Sequence, residues 1–99
     1  MAKKVIWTKQ ALDDKLGILE YWNNRNKSNV YSKKLDKFFR DCVKGIAKFP
    51  SLGRPTKREL IKYLIEGNNM IFYKETLDTI YILEIWDTRQ DPKKLKYEL

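Results

Sequence analysis

Between Tyr31 and Phe49 the apolar residues Tyr31, Leu35, Phe38, Phe39, Cys42, Val43, Ile46 and Phe49 recur at steps of three and four, and Pro50 follows at once. That spacing is the period of one helix face. Lysines with Asp36, Arg40 and Asp41 fill the other face, as an amphipathic surface helix requires. Pro50 ends the helix, because the residue before a proline is driven out of the helical region. Beyond it the period changes. Ser51 to Thr56 reads as a loop with two breakers. Leu60 to Ile65, Met70 to Lys74 and Thr79 to Trp86 then read as strands, separated by turn sequences at Gly67-Asn68-Asn69 and Thr76-Leu77-Asp78. The last strand, with Ile80, Ile82, Leu83 and Ile85, alternates so little that burial on both faces is expected.

Upstream, Lys4 to Trp7 reads as a short strand, and Thr8 has the chemistry of a helix cap. Ala11, Leu12, Leu16, Ile18, Leu19 and Trp22 predict a first helix over residues 9–24. The polar run from Asn23 to Asn29 separates the two helices, so an antiparallel hairpin is expected. Two helices followed by a meander imply an α+β fold in one domain spanning 1–99. In this reading the N-terminal strand and helical hairpin pack on a three- to four-stranded antiparallel sheet. The far face of that sheet must be covered by the tail from Asp87 onward, by a partner or by substrate.

Charge and composition narrow the chemistry. Twenty-one Lys and Arg against 13 Asp and Glu leave a formal charge of +8, which draws so small a chain towards nucleic acid, the ribosome or an acidic protein. The single Cys42 cannot form an internal disulfide and fits a reducing cytoplasm. Val5-Ile6-Trp7 is too short for a signal-peptide core, and no run approaches a membrane helix, so a cytoplasmic location away from membranes is expected. With one cysteine and no histidine there is no ordinary zinc site and no Ser–His or Cys–His nucleophile pair. The four glycines are scattered and make no phosphate-cradling loop, so no cofactor is expected.

Several stretches resemble the RelE/ParE superfamily of type II toxin–antitoxin toxins, and its ParE-like branch in particular. They are Val5-Ile6-Trp7-Thr8, Ala11-Leu12-Asp13-Asp14, Ile18-Leu19-Glu20-Tyr21-Trp22, Phe49-Pro50-Ser51-Leu52-Gly53-Arg54, Asn69-Met70-Ile71-Phe72-Tyr73, and Ile80 to Trp86 with Arg89-Gln90-Asp91-Pro92. Together they run through nearly the whole chain in order. The resemblance implies a growth-inhibiting toxin neutralised by a cognate antitoxin. ParE-like members poison DNA gyrase, whereas RelE-like members cut mRNA on the ribosome. An inactive homologue that only binds its antitoxin is a third possibility. Fold likeness does not decide among these.

A metal-independent ribonuclease needs a base, an acid and a group that stabilises the charged phosphorane. Arg89, just past the last strand, matches a functional arginine of RelE-like relatives; its alternative is a structural bond to the Asp91-Pro92 turn or to the antitoxin. In the same resemblance Lys62 falls near the lysines that RelE-like relatives place on the second strand and Tyr97 stands for their C-terminal tyrosine acid, with a solvated strand lysine and an ordinary tail tyrosine as the alternatives. RelE-like toxins carry a second arginine three residues before a tyrosine that here is Tyr73; the matching position is Met70, which cannot hold a phosphate. The resemblance therefore favours target binding over catalysis. Arg54, Lys57 and Arg58 form a basic stretch suited to a target or antitoxin, Trp86 is a candidate for the same interface, and Glu84 sits oddly on an otherwise apolar strand, where burial would be costly.

Overall fold

Thr8 begins the first helix as expected. Its hydroxyl accepts from the Ala11 N–H (3.2 Å), satisfying one of the donors that a helix start leaves free. The computed structural model describes residues 2–97. In it, strand β1 (Lys4–Trp7) leads into α1 (Lys9–Asn26) and α2 (Val30–Lys48). α1 runs two residues further than its apolar period indicates and is closed by Lys27 in the left-handed region (φ 50). α2 stops two residues before Pro50, and a single tight turn over Pro50–Leu52 follows. The short β2 (Arg54–Pro55), then β3 (Ile61–Glu66), β4 (Asn69–Glu75) and β5 (Thr79–Asp87), complete the chain's regular elements before a last turn at Pro92–Lys94. Gly67 takes a positive φ of 60 in the two-residue turn between β3 and β4, as hairpin turns of that length require.

The α+β reading stands, with two refinements. The sheet has five strands in the order β1-β5-β4-β3-β2 rather than three or four. It is also mixed, because β1 runs parallel to β5, pairing Lys4 with Thr79 through Trp7 with Ile82, while the remaining pairs are antiparallel. The sequence hides both points. β2 consists of two residues inside a breaker-rich loop, and a parallel partner must come from a distant segment.

The hairpin covers one face of the sheet. Leu35, Phe39, Val43 and Ile46 of α2 and Ala11 of α1 pack with Ile71, Tyr73, Ile80, Ile82 and Ile85. The opposite face carries a second cluster of Tyr63, Met70, Phe72 and Trp86, and Tyr97 from the tail closes over it. β5 is thus buried on both sides, and the tail is the cover that the second face needed. At Leu83 the β4–β5 register slips by one residue: Phe72 pairs with Glu84, but Tyr73 pairs with Ile82. Such a bulge bends the strand and re-aims the residues beyond it. Thr8 sits against it, donating its hydroxyl to the Ile82 carbonyl (2.8 Å), and Asp14 accepts from the Ile85 N–H (3.1 Å) beyond the end of β1.

One glycine has a steric reason to be there. The Tyr73 hydroxyl donates to the Pro50 carbonyl (2.6 Å) and accepts from the Gly53 N–H (2.8 Å), tying the post-helix loop to the sheet. A Cβ at Gly53 would collide with that ring and hydroxyl. The Phe49-Pro50-Ser51-Leu52-Gly53-Arg54 stretch and the aromatic of β4 are therefore two halves of one structural joint.

Candidate functional site

β5 ends at Asp87, and the chain turns at once. The Gln90 N–H bonds the Asp87 carbonyl, and the Asp87 carboxylate accepts the Arg89 backbone N–H (2.9 Å). The same carboxylate grips the Arg89 guanidinium twice, through Nε (3.0 Å) and Nη2 (2.7 Å). This forked geometry is the strong one for arginine and carboxylate, and the Arg89 hydrogen bond holds the Asp87 carboxyl below its ordinary range. The guanidinium lies 6.0 Å from the Trp22 ring centre. Trp22 meets Tyr21 and Tyr31 edge to face, each at 5.1 Å. Tyr21 and Tyr31 are 52% and 44% exposed, so this end of the molecule shows aromatic surface to solvent. Beside it a groove runs between the hairpin and the β3–β4 turn, lined by Trp22, Tyr31, Phe38, Asn68 and Arg89 among others. The apolar spacing puts Trp22 and Tyr31 on core-facing stripes; Trp22 does pack half-buried against the hairpin-side core, whereas Tyr31 stays 44% exposed.

The other candidates lie elsewhere. Lys62 faces the hairpin side with its partner Tyr73 and sits 4.0 Å from Glu75, which also holds Lys3 at 2.7 Å. Lys62 pairs with Tyr73 and Asp87 with Asn69, so four residues of β4 separate the two levels. That is roughly 13 Å at about 3.3 Å per residue, and Arg89 lies further out still. Tyr97 is on the opposite face of the sheet, 5% exposed, with its ring 4.9 Å from that of Phe72. Burial pushes its phenol above the usual range. Arg89, Lys62 and Tyr97 therefore do not share one centre. Met70 is 5% exposed in the same second cluster and pairs with Trp86. Trp86 itself, expected to be partly exposed at the strand end, is 9% exposed and belongs to that core. The reason is the tail, which folds back over it.

Of the basic stretch, Arg54 lies exposed in β2 opposite Tyr63, Lys57 is exposed in the loop that follows, and Arg58 stacks 5.4 Å from the Tyr97 ring. Glu84 has one carboxylate oxygen sealed from solvent without a hydrogen-bond partner among the described residues. Burial and, secondarily, Asp14 push its pKa up, while Lys96 draws it down. The pKa of the Cys42 thiol is pushed up to about 11, chiefly by burial, which disfavours the thiolate form. Among the described residues no group of His, Cys, Asp and Glu is placed to hold a metal ion, and no helix is long and apolar enough to cross a membrane.

This arrangement, a β1–hairpin–meander order with an arginine turn after the last strand, can be compared with known proteins. The family model described as the ParE toxin of the type II toxin–antitoxin system parDE matches residues 5–92. The chain belongs to the ParE toxin family. Among solved structures, this ParE-family chain is similar to one described as the chromosomal ParDE toxin–antitoxin system from P. aeruginosa. The two share 17% identity over 89% of this chain and 98% of that one, with a TM-score of 0.76. A second is the RelBE2 toxin–antitoxin complex from Mycobacterium tuberculosis, with 16% identity over 88% and 99% of the two chains and a TM-score of 0.65. At such identities the likeness shows the shared fold of the superfamily. No curated protein matches the sequence.

Proposed function

We propose that this ParE-family toxin arrests growth by binding a cellular target, DNA gyrase, without catalysis of its own, and that a cognate antitoxin neutralises it. The observation that carries the reading is the dispersal of the candidate catalytic groups. Arg89 sits at the hairpin side beyond β5, Lys62 some strand levels away against Glu75, and Tyr97 behind the sheet. General acid–base chemistry needs its groups within hydrogen-bond reach of one reacting phosphate, and here they are not. Met70 supplies no second cation, and the guanidinium of Arg89 is already engaged by Asp87. The groove beside Arg89, with its exposed Tyr21 and Tyr31, has instead the makings of a protein contact: large, stiff aromatics around an arginine. Both solved structures to which the chain is similar come from toxin–antitoxin systems, which supports an antitoxin as one occupant of such a surface.

The test is to express the chain alone in bacteria, map transcript 5′ ends after growth stops, and assay purified toxin on gyrase supercoiling. Arrest with inhibited supercoiling and no new ends is the expected result. New ends clustered inside translated codons would replace this reading with a ribosome-dependent mRNA endonuclease in which Arg89 contacts the phosphate. Harmless expression at verified soluble levels would leave only antitoxin binding.

A further inference from the structure

The cations among the described residues divide into those paired with a carboxylate and those, on α2 as well as on the sheet, that are not. Lys3, Lys9, Lys15, Lys37, Arg40, Lys62 and Arg89 each lie within 4.0 Å of a carboxylate. On the tail-covered face the unpaired cations are gathered together. Arg54 shares that face with its cross-strand partner Tyr63, and Lys74 shares it with Phe72 two residues earlier on β4. Arg58 from the loop and Lys96 from the tail both converge on the Tyr97 ring, at 5.4 and 5.8 Å. None of these four makes an ion pair among the described residues. Glu84 on the same face feels the charge of Lys96 without pairing with it. Two basic stretches nearly forty positions apart in the sequence thus become one surface around a tyrosine.

We propose that this tail-side surface, centred on Tyr97 with Arg54, Arg58, Lys74 and Lys96 around it, binds the phosphate backbone of a nucleic acid. Three features favour a polyanion over a protein. The largest apolar side chains of this face, Tyr63, Met70, Phe72 and Trp86, are already covered, so what remains apolar is the exposed Ile65 at the far end of β3 and parts of Ile61, Leu83 and Leu95, set among the cations. A protein hot spot needs apolar groups to desolvate, and those lie at the Tyr21–Tyr31 end instead. Cations without a carboxylate partner can each neutralise a phosphate, and every phosphate neutralised releases a counterion condensed on the nucleic acid. Finally, the Tyr97 ring is packed on Phe72, so Arg58 and Lys96 are held over a fixed platform and lose less freedom on binding. The surface is remote from Arg89, and backbone binding there would let a gyrase-directed toxin hold enzyme and nucleic acid together.

The experiment measures binding of the purified chain to a fluorescent duplex DNA of arbitrary sequence and to single-stranded RNA of equal length, across a series of salt concentrations. Arg58→Glu with Lys96→Glu is compared with a charge-matched double reversal on α2, Lys33→Glu with Lys44→Glu. Circular dichroism checks folding, and the milder Arg58→Gln with Lys96→Gln serves if the reversals unfold the chain. The tail-side pair should flatten the log–log salt dependence by about two, roughly one for each phosphate no longer held, and weaken binding at least tenfold more than the α2 pair does. Tighter binding to DNA or to RNA names the source of the backbone. Equal effects of the two pairs, or no binding by the unmodified chain at low salt, would overturn the proposal. Gyrase inhibition is read separately on the same proteins: failure there with backbone binding intact would remove the gyrase reading and leave this one standing.

Discussion

The two faces of the sheet are built on different terms. On the hairpin side two long helices lay a periodic apolar stripe across β4 and β5, and several nearby cations, Lys3 and Lys15 among them, are paired with carboxylates. On the far side a short tail brings two apolar residues, Leu95 and Tyr97, over a small aromatic cluster, and Arg58 and Lys96 lie against the Tyr97 ring with no carboxylate partner among the described residues. The first face is made by packing, with the larger buried cluster. The second is barely closed, and it presents charge to the outside. A chain of this size can fold on one well-built face and leave the other for recognition.

The sharpest way to break that comparison is to truncate one aromatic on each side. Phe39 is fully buried under α2, and Phe39→Ala should cost about 3–5 kcal/mol, enough to unfold much of a marginal domain. Tyr97→Ala, which frees only the end of the tail, should cost about 1–2 kcal/mol because a frayed terminus opens locally rather than globally. Urea denaturation of both variants gives the numbers; equal losses would mean the tail carries as much of the fold as the hairpin.

A smaller effect sharpens the account of the loop that joins the two sides. Tyr73→Phe leaves the Gly53 N–H and the Pro50 carbonyl without their partner and should cost about 1–3 kcal/mol. Gly53→Ala should be worse in the wild type than in the Tyr73→Phe background, where the colliding hydroxyl is gone. A double-mutant cycle reads the coupling. Strict additivity would show that the collision is relieved by movement of the loop.

The smallest expected effect is at Glu84, on the tail side. Its folded pKa is raised above the ordinary 4.5, mainly by burial. The folded state then binds the proton more tightly than the unfolded chain, and stability falls as pH rises through that raised value. Glu84→Gln should therefore raise the melting temperature by a few degrees at neutral pH. The gain should disappear at pH values below the ordinary carboxylate range, where the native residue is protonated in both states. A gain independent of pH would mean that packing, not charge, limits this position.

Much of the hairpin side was legible in the sequence because its signals are local. Thr8 caps where a cap was expected, α2 follows its apolar period, and Pro50 stops it. The tail side was not. Trp86 looked like a strand-end aromatic, and only the return of Tyr97 and Leu95 from a polar, unperiodic tail buries it. Tyr31 lies on the same helical stripe as Leu35, but its place in the first turn of α2 carries it beyond the sheet and into solvent. Periodicity gives the direction in which a side chain points. It does not give what stands opposite. For the candidate site the same holds: Arg89 could be picked out by its position after the last strand, whereas its engagement by Asp87 and the meeting of Arg58 with Lys96 are products of tertiary folding.

The parallel pairing of β1 with β5 also sets a clock on the molecule's birth. Lys4 finds Thr79 and Thr8 finds Ile82 only after nearly the whole chain has been made. At roughly 5–20 residues per second, the first strand waits on the order of several seconds for the last. During that interval α1 can form but has no completed sheet beneath it, and non-local pairing of this kind is slow to close even once the chain is free. The sheet is therefore incomplete for a short time by construction, and any surface that depends on the pairing of β1 with β5 exists only once synthesis is nearly done.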